Sequence, residues 1–80
     1  MIARMKFIAL RQEMLANGLN QSNIADLIGR SMSYVSARLS GEKSWELNEC
    51  YIILEQLNVP FSEFSTYFPK NGGEQRKGRK

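Results

Sequence analysis

The side chains best equipped for chemistry lie between residues 30 and 43, where four serines (Ser31, Ser33, Ser36, Ser40) are interspersed with three cations (Arg30, Arg38, Lys43). Hydroxyls donate and accept hydrogen bonds at base edges, and cations neutralise phosphates. Neither type does acid–base or nucleophilic work without a base beside it, and the chain has no His, the commonest general base and zinc ligand. The single Cys50 can form neither an internal disulfide nor a metal cage and reads most simply as a core residue. Gly41-Glu42-Lys43-Ser44 resembles a phosphate-binding loop only in part, because the preceding strand, the first Gly and the adjacent Gly-Lys pair are missing. The chain therefore reads as a non-enzyme with no catalytic residues, no metal, no cofactor and no small-molecule substrate.

Five short helices are needed to position these groups, and no period-2 apolar alternation argues for a sheet. The expected fold class is all-α. Ala3, Phe7, Leu10 and Met14 line one face of a first helix that stops at Asn17-Gly18. Asn20 caps a second helix, whose apolar set is Ile24, Leu27 and Ile28 and which Gly29 stops. Ser31 caps a third, its side-chain oxygen placed for the N–H of Ser33 or Tyr34, and that helix runs to Ser40 before Gly41. A fourth begins between Ser44 and Asn48, buries Leu47, Cys50, Leu54 and Leu57, and ends near Asn58; the last starts at about Pro60 with Phe61, Phe64 and Phe68 on one face. Pro69 is expected to close the domain (1–69), leaving 70–80 as a basic tail that is disordered in the free protein.

Charge supports that division. Residues 1–69 carry six basic and seven acidic side chains, whereas the tail carries five basic residues against Glu74. Five of the seven acids before Pro69 fall at Glu42 or later, while five of the six bases precede Lys43, so the surface made by the first three helices is the basic one. The longest apolar run is Cys50 to Leu54, and the N-terminus mixes apolar and basic residues, so neither a membrane span nor a secretion signal is expected. With one cysteine and no disulfide, a reducing, cytoplasmic setting fits best.

Two short helices joined through a Gly turn are the elements of a helix-turn-helix that reads the DNA major groove. Ala25 supplies the small residue that a close helix crossing needs, and Gly29 the residue that tolerates positive φ. Ile24, Ile28, Val35 and Leu39 can then close one apolar cluster, which leaves Met32, Ser33, Ser36, Ala37 and Ser40 on the outer side of the third helix. Small and unbranched side chains allow close approach to base edges, and Ala or Met can touch a thymine methyl. Lys43 lies where the chain turns back toward the DNA backbone. Tyr34 has two readings, a hydrogen bond to phosphate or a packing role with its hydroxyl in water.

From Leu19 to Gly41 the chain reads LNQSNIADLIGRSMSYVSARLSG and resembles the Cro and phage-repressor (XRE-like) helix-turn-helix family. Leu10-Arg11, Leu19, Gln21, Ile24-Ala25, Ile28-Gly29, Ser31, Ser33 to Ser36 and Gly41 match its pattern, as do Leu47, Ile53, Leu57, Val59 and Phe64 further on. The resemblance implies a five-helix, lambda-repressor-like domain that binds operator DNA as a dimer. It further implies that Gln21 contacts phosphate and that Met32, Ser33, Ser36 and Ala37 are the base-reading positions. Arg30 and Arg38 depart from the pattern, which has apolar residues there. Leu39 is expected to take the core role next door and turn Arg38 outward, making Arg30 and Arg38 phosphate contacts. No Gln, Asn or Arg stands at the base-reading positions, so specificity rests on modest contacts or on DNA shape.

These features imply a phage or mobile-element transcriptional regulator, a repressor occupying double-stranded operator DNA. The alternative is a protein-interaction adaptor, antitoxin-like or anti-repressor, that has kept the fold. The aromatic set Phe61, Phe64, Tyr67 and Phe68 exceeds what the fourth helix can bury and is expected to support a weak homodimer.

Overall fold

The computed structural model describes residues 6–73, in which five α-helices and two 3₁₀ turns are found. They are α1 (Ile8–Ala16), α2 (Gln21–Ile28), α3 (Met32–Leu39), α4 (Leu47–Gln56) and α5 (Phe64–Tyr67), with 3₁₀ turns at Phe61–Glu63 and Lys70–Gly73. None of these helices is long and apolar enough to cross a membrane.

Local chemistry accounts for most boundaries. Asn20 and Asn23 bond reciprocally, each side chain accepting the other's backbone N–H (2.9 and 2.8 Å), and so fix the start of α2. Gly29 ends α2 in the left-handed conformation, with φ 73°. Ser31 Oγ then accepts the Tyr34 N–H at 3.1 Å, so of the two expected acceptor pairings it is the one with Tyr34 that forms. Two turns after its cap, α3 gives way to Ser40 and Gly41, and the N–H groups of Glu42 and Lys43 both return to the Ala37 carbonyl (3.0 and 3.3 Å).

The first helix begins later than its apolar spacing predicts. Phe7 takes a left-handed conformation (φ 57°, ψ 45°), which an L-residue adopts only where its surroundings compensate, and α1 starts at Ile8. Compensation is visible: the Phe7 N–H donates to the Gly72 carbonyl at 2.9 Å, and its ring meets Trp45 and Phe68 edge-on. The described chain continues past Pro69 through the turn Lys70–Gly73. Ala3 and the basic residues Arg76, Lys77, Arg79 and Lys80 lie outside the described residues.

Leu10, Met14, Ile24, Ala25, Val35, Leu39, Cys50, Ile53, Leu54, Leu57, Phe7 and Phe68 form one buried core. Leu47 is not among them, contrary to expectation, and is 54% exposed. Cys50, Ile53, Leu54 and Leu57 set the inward stripe of α4, and the inward position in the first turn goes to Glu49, which is buried. The aromatic set also differs from expectation. Phe68 is in the core, while Phe64 and Tyr67 pack half-buried against it, because Trp45 and Phe7 extend the core toward α5 and Trp45 meets Phe68 at 5.5 Å. Only Phe61 keeps much surface, and it stacks on Tyr51 at 4.3 Å. The expected surplus of four aromatics is therefore a pair, Phe61 with Tyr51.

Candidate nucleic-acid interface

α3 offers one face to the core through Val35 and Leu39, which are 0% and 2% exposed. At 100° per residue this sets Ala37 directly opposite the core with Ser33 and Ser40 beside it, places Ser36 on one shoulder and Arg38 on the other, and leaves Met32 at the N-terminal edge on the Ser36 side. Met32, Ser33 and Ser36 are exposed and Ala37 is half-buried, so the four expected base-reading residues share one accessible surface. Gln21 is the first residue of α2 and is half-buried; Lys43 is exposed in the turn that folds back on the end of α3.

The flank of α3 nearest α4 carries a stripe at four-residue spacing: Arg30, Tyr34 and Arg38. Leu39 does take the core position, as expected, yet Arg38 does not swing freely into solvent. Its guanidinium carbon sits 3.5 Å from the Tyr34 ring centroid, and that of Arg30 sits 4.6 Å from it. Stacking on the ring gives Arg38 a partner for its charge, which matters because its Nε is buried without a hydrogen-bond acceptor. Two cations are thus gathered on one aromatic surface beside the outward face.

The Tyr34 ring packs against two cations, but its hydroxyl is not left to water. Its hydroxyl donates to Glu49 Oε2 at 2.5 Å, so its one proton is given to a carboxylate of α4 rather than to water, and a phosphate would have to displace that carboxylate to receive it. Donation to Glu49 pushes the phenol pKa up, with burial adding to the effect, and keeps the group a donor. Glu49 Oε2 also lies 3.6 Å from Arg30 Nε, and Oε1 accepts the Glu46 N–H at 3.3 Å.

Sequence reasoning missed two residues that hold this surface. Arg11 reaches from α1 to the C-terminal end of α3, donating from Nη2 to the Leu39 carbonyl at 2.9 Å and from Nε to the Lys6 carbonyl at 2.6 Å. A cation at that end also complements the helix dipole. Glu49 was legible as an acid next to the apolar stripe of α4, a position that requires a partner once buried.

The arrangement can do one kind of chemistry: present a close-fitting helix face between placed cations to a polyanion. No curated protein matches the chain. A helix-turn-helix family model does match it, over residues 10–64, which runs from within α1 to the first residue of α5 and includes α2, α3 and the side chains of Arg11 and Glu49. The chain belongs to the helix-turn-helix family, a DNA-binding family.

Proposed function

We propose that the protein is a sequence-specific transcriptional regulator of phage or mobile-element type, a cytoplasmic repressor that occupies an operator. α3 enters the major groove with Met32, Ser33, Ser36 and Ala37 at base edges. Gln21, Arg30, Arg38 and Lys43 contact phosphates on either side, and Tyr34 is the surface on which two of them rest. The observation that carries this reading is the outward face of α3, small in its side chains and flanked by the Arg30, Tyr34 and Arg38 stripe. Small residues bring the helix backbone close to the bases, and the cations fix its register. Two copies pair on adjacent half-sites, weakly, through the exposed surface around Phe61 and Tyr51 with Phe64 and Tyr67 at its edge.

Replacing Ser33 and Ser36 together with Glu tests the reading, because both side chains are exposed and the change repels DNA without touching the core. Gel shifts on a duplex selected from a random pool should lose the specific complex while helicity is retained. Undiminished binding would move the interface off α3, and a wild-type chain that selects no duplex at all would favour the adaptor function.

A further inference from the structure

A single carboxylate governs the cationic flank of α3. The Glu49 side chain is 6% exposed, whereas that of its neighbour Arg30 is 47% exposed. Through one oxygen, Glu49 accepts the Tyr34 hydroxyl and faces Arg30 Nε; through the other it accepts the Glu46 N–H. Arg30 and Arg38 both rest on the Tyr34 ring, so fixing Tyr34 fixes the platform of both cations. A negative charge in contact with a cation that serves phosphate works against DNA binding taken as bare attraction, since carboxylate and phosphate compete for the same guanidinium.

We propose that Glu49 is a specificity-determining residue: it restrains the charge of Arg30 and holds the Tyr34 platform, so that Arg30 contributes only where the groove brings a phosphate to that place. The inference rests on α3 being the groove-facing helix. On random DNA a freed Arg30 finds a phosphate in any register and adds affinity without information. On the preferred site it gains little, because its phosphate is already in reach. Neutralising Glu49 therefore raises random binding more than specific binding.

Glu49→Gln is the informative variant, since an amide still offers the Tyr34 hydroxyl an acceptor oxygen. Salt titrations on a selected site and on random duplex should show random-DNA affinity raised roughly threefold to tenfold, with a log–log salt slope steeper by up to ~0.9, the increment for one added phosphate contact. The ratio of specific to random affinity should fall several-fold. Adding Arg30→Gln should abolish the gain, whereas Tyr34→Phe, which leaves Glu49 charged, should leave the random-DNA slope unchanged. A folded Glu49→Gln protein with unaltered ratio and slope, or a gain that survives Arg30→Gln, overturns the proposal. If Glu49→Gln does not fold, Arg30→Gln alone decides: loss confined to the selected site supports restraint, and equal loss on both duplexes refutes it. Loss of binding in the Ser33→Glu, Ser36→Glu protein, measured in parallel, shows that the groove-facing reading stands whichever way the Glu49 result falls.

Discussion

Arg11 Nη2 donates to the Leu39 carbonyl across 2.9 Å, joining α1 to the end of the helix that faces outward. Because the same guanidinium also binds the Lys6 carbonyl, one half-buried side chain satisfies two acceptors from different parts of the chain. Hydrogen bonds to charged groups contribute about 1.5–3 kcal/mol each, and because Arg11 is only half-buried water replaces part of both when they are removed, so Arg11→Ala should destabilise the fold by roughly 2–4 kcal/mol, less than the sum of the two. Arg11→Lys should recover less than half, since an ammonium lacks the fork that spans two acceptors. Urea denaturation of the three proteins checks both values.

Two glycines with positive φ should respond differently to Ala. At Gly29 (φ +73°) an added Cβ meets nothing within 4 Å, so Gly29→Ala should cost only the left-handed strain, about 1–2 kcal/mol. At Gly72 (φ +68°) the same Cβ would lie 2.7 Å from Lys6 Cβ, an atom fixed to the backbone. Gly72→Ala should therefore cost more than Gly29→Ala and should loosen the Phe7 to Gly72 bond, visible as faster exchange of the Phe7 amide in hydrogen-exchange experiments. Equal costs would show that Lys6 yields without resistance.

Burial pushes the Cys50 thiol up to about 12 from an ordinary value of 9.0, with the nearby Glu49 charge adding to it. The folded chain thus favours the neutral thiol. Below pH 9 both states hold the proton and stability is insensitive to this group; above it the unfolded chain ionises first, and stability falls by up to about 1.4 kcal/mol per pH unit until the folded thiol also titrates. Cys50→Ser should reduce that alkaline loss, and alkylation of native protein at pH 8 should be slow until denaturant is added.

Much of the fold was legible because caps and stops are local. Asn20, Gly29, Ser31 and Gly41 are each read from a residue type and its neighbours, and each fixes a helix end as expected. Non-local facts were not. The left-handed Phe7 depends on Gly72, far along the chain, and the burial of the aromatic set depends on Trp45 lying against Phe68. The outward residues of α3 followed from helical periodicity, whereas the Glu49 tie to Tyr34 and Arg30 required knowing how α4 packs on α3.

Pairing of two copies is expected to involve Phe61 and Tyr51, the exposed stacked pair. Phe61→Lys should shift sedimentation toward monomer at high concentration while leaving the melting temperature within a few degrees of wild type. Phe68→Lys, placing a charge in the core, should unfold the chain instead. A wild-type protein that stays monomeric on a double half-site would overturn the pairing.

Because Gly72 packs into the domain, the basic tail is best removed after Gly73 rather than after Pro69. Deleting residues 74–80 takes away four cations and one acid. Binding to all duplexes should weaken by a similar factor, and the salt slope should fall by roughly 1–3 units at ~0.9 per lost phosphate contact, with the selected sequence unchanged. An unaltered slope would make the tail inert, and a loss restricted to one sequence would make it a reader.

The bond between Phe7 and Gly72 also makes the described chain a nearly closed ring: it enters and leaves at one spot, with the Lys6 side chain lying between Gly72 and Gly41 just beyond α3. Anything fused before Lys6 or after Gly73 therefore departs from the same corner, close to the end of the outward helix. A bulky reporter joined directly before Lys6 or directly after Gly73 should interfere with DNA to a similar degree. A permuted chain, with the old ends linked and new ones opened near Asn58, would carry the same reporter away from that corner.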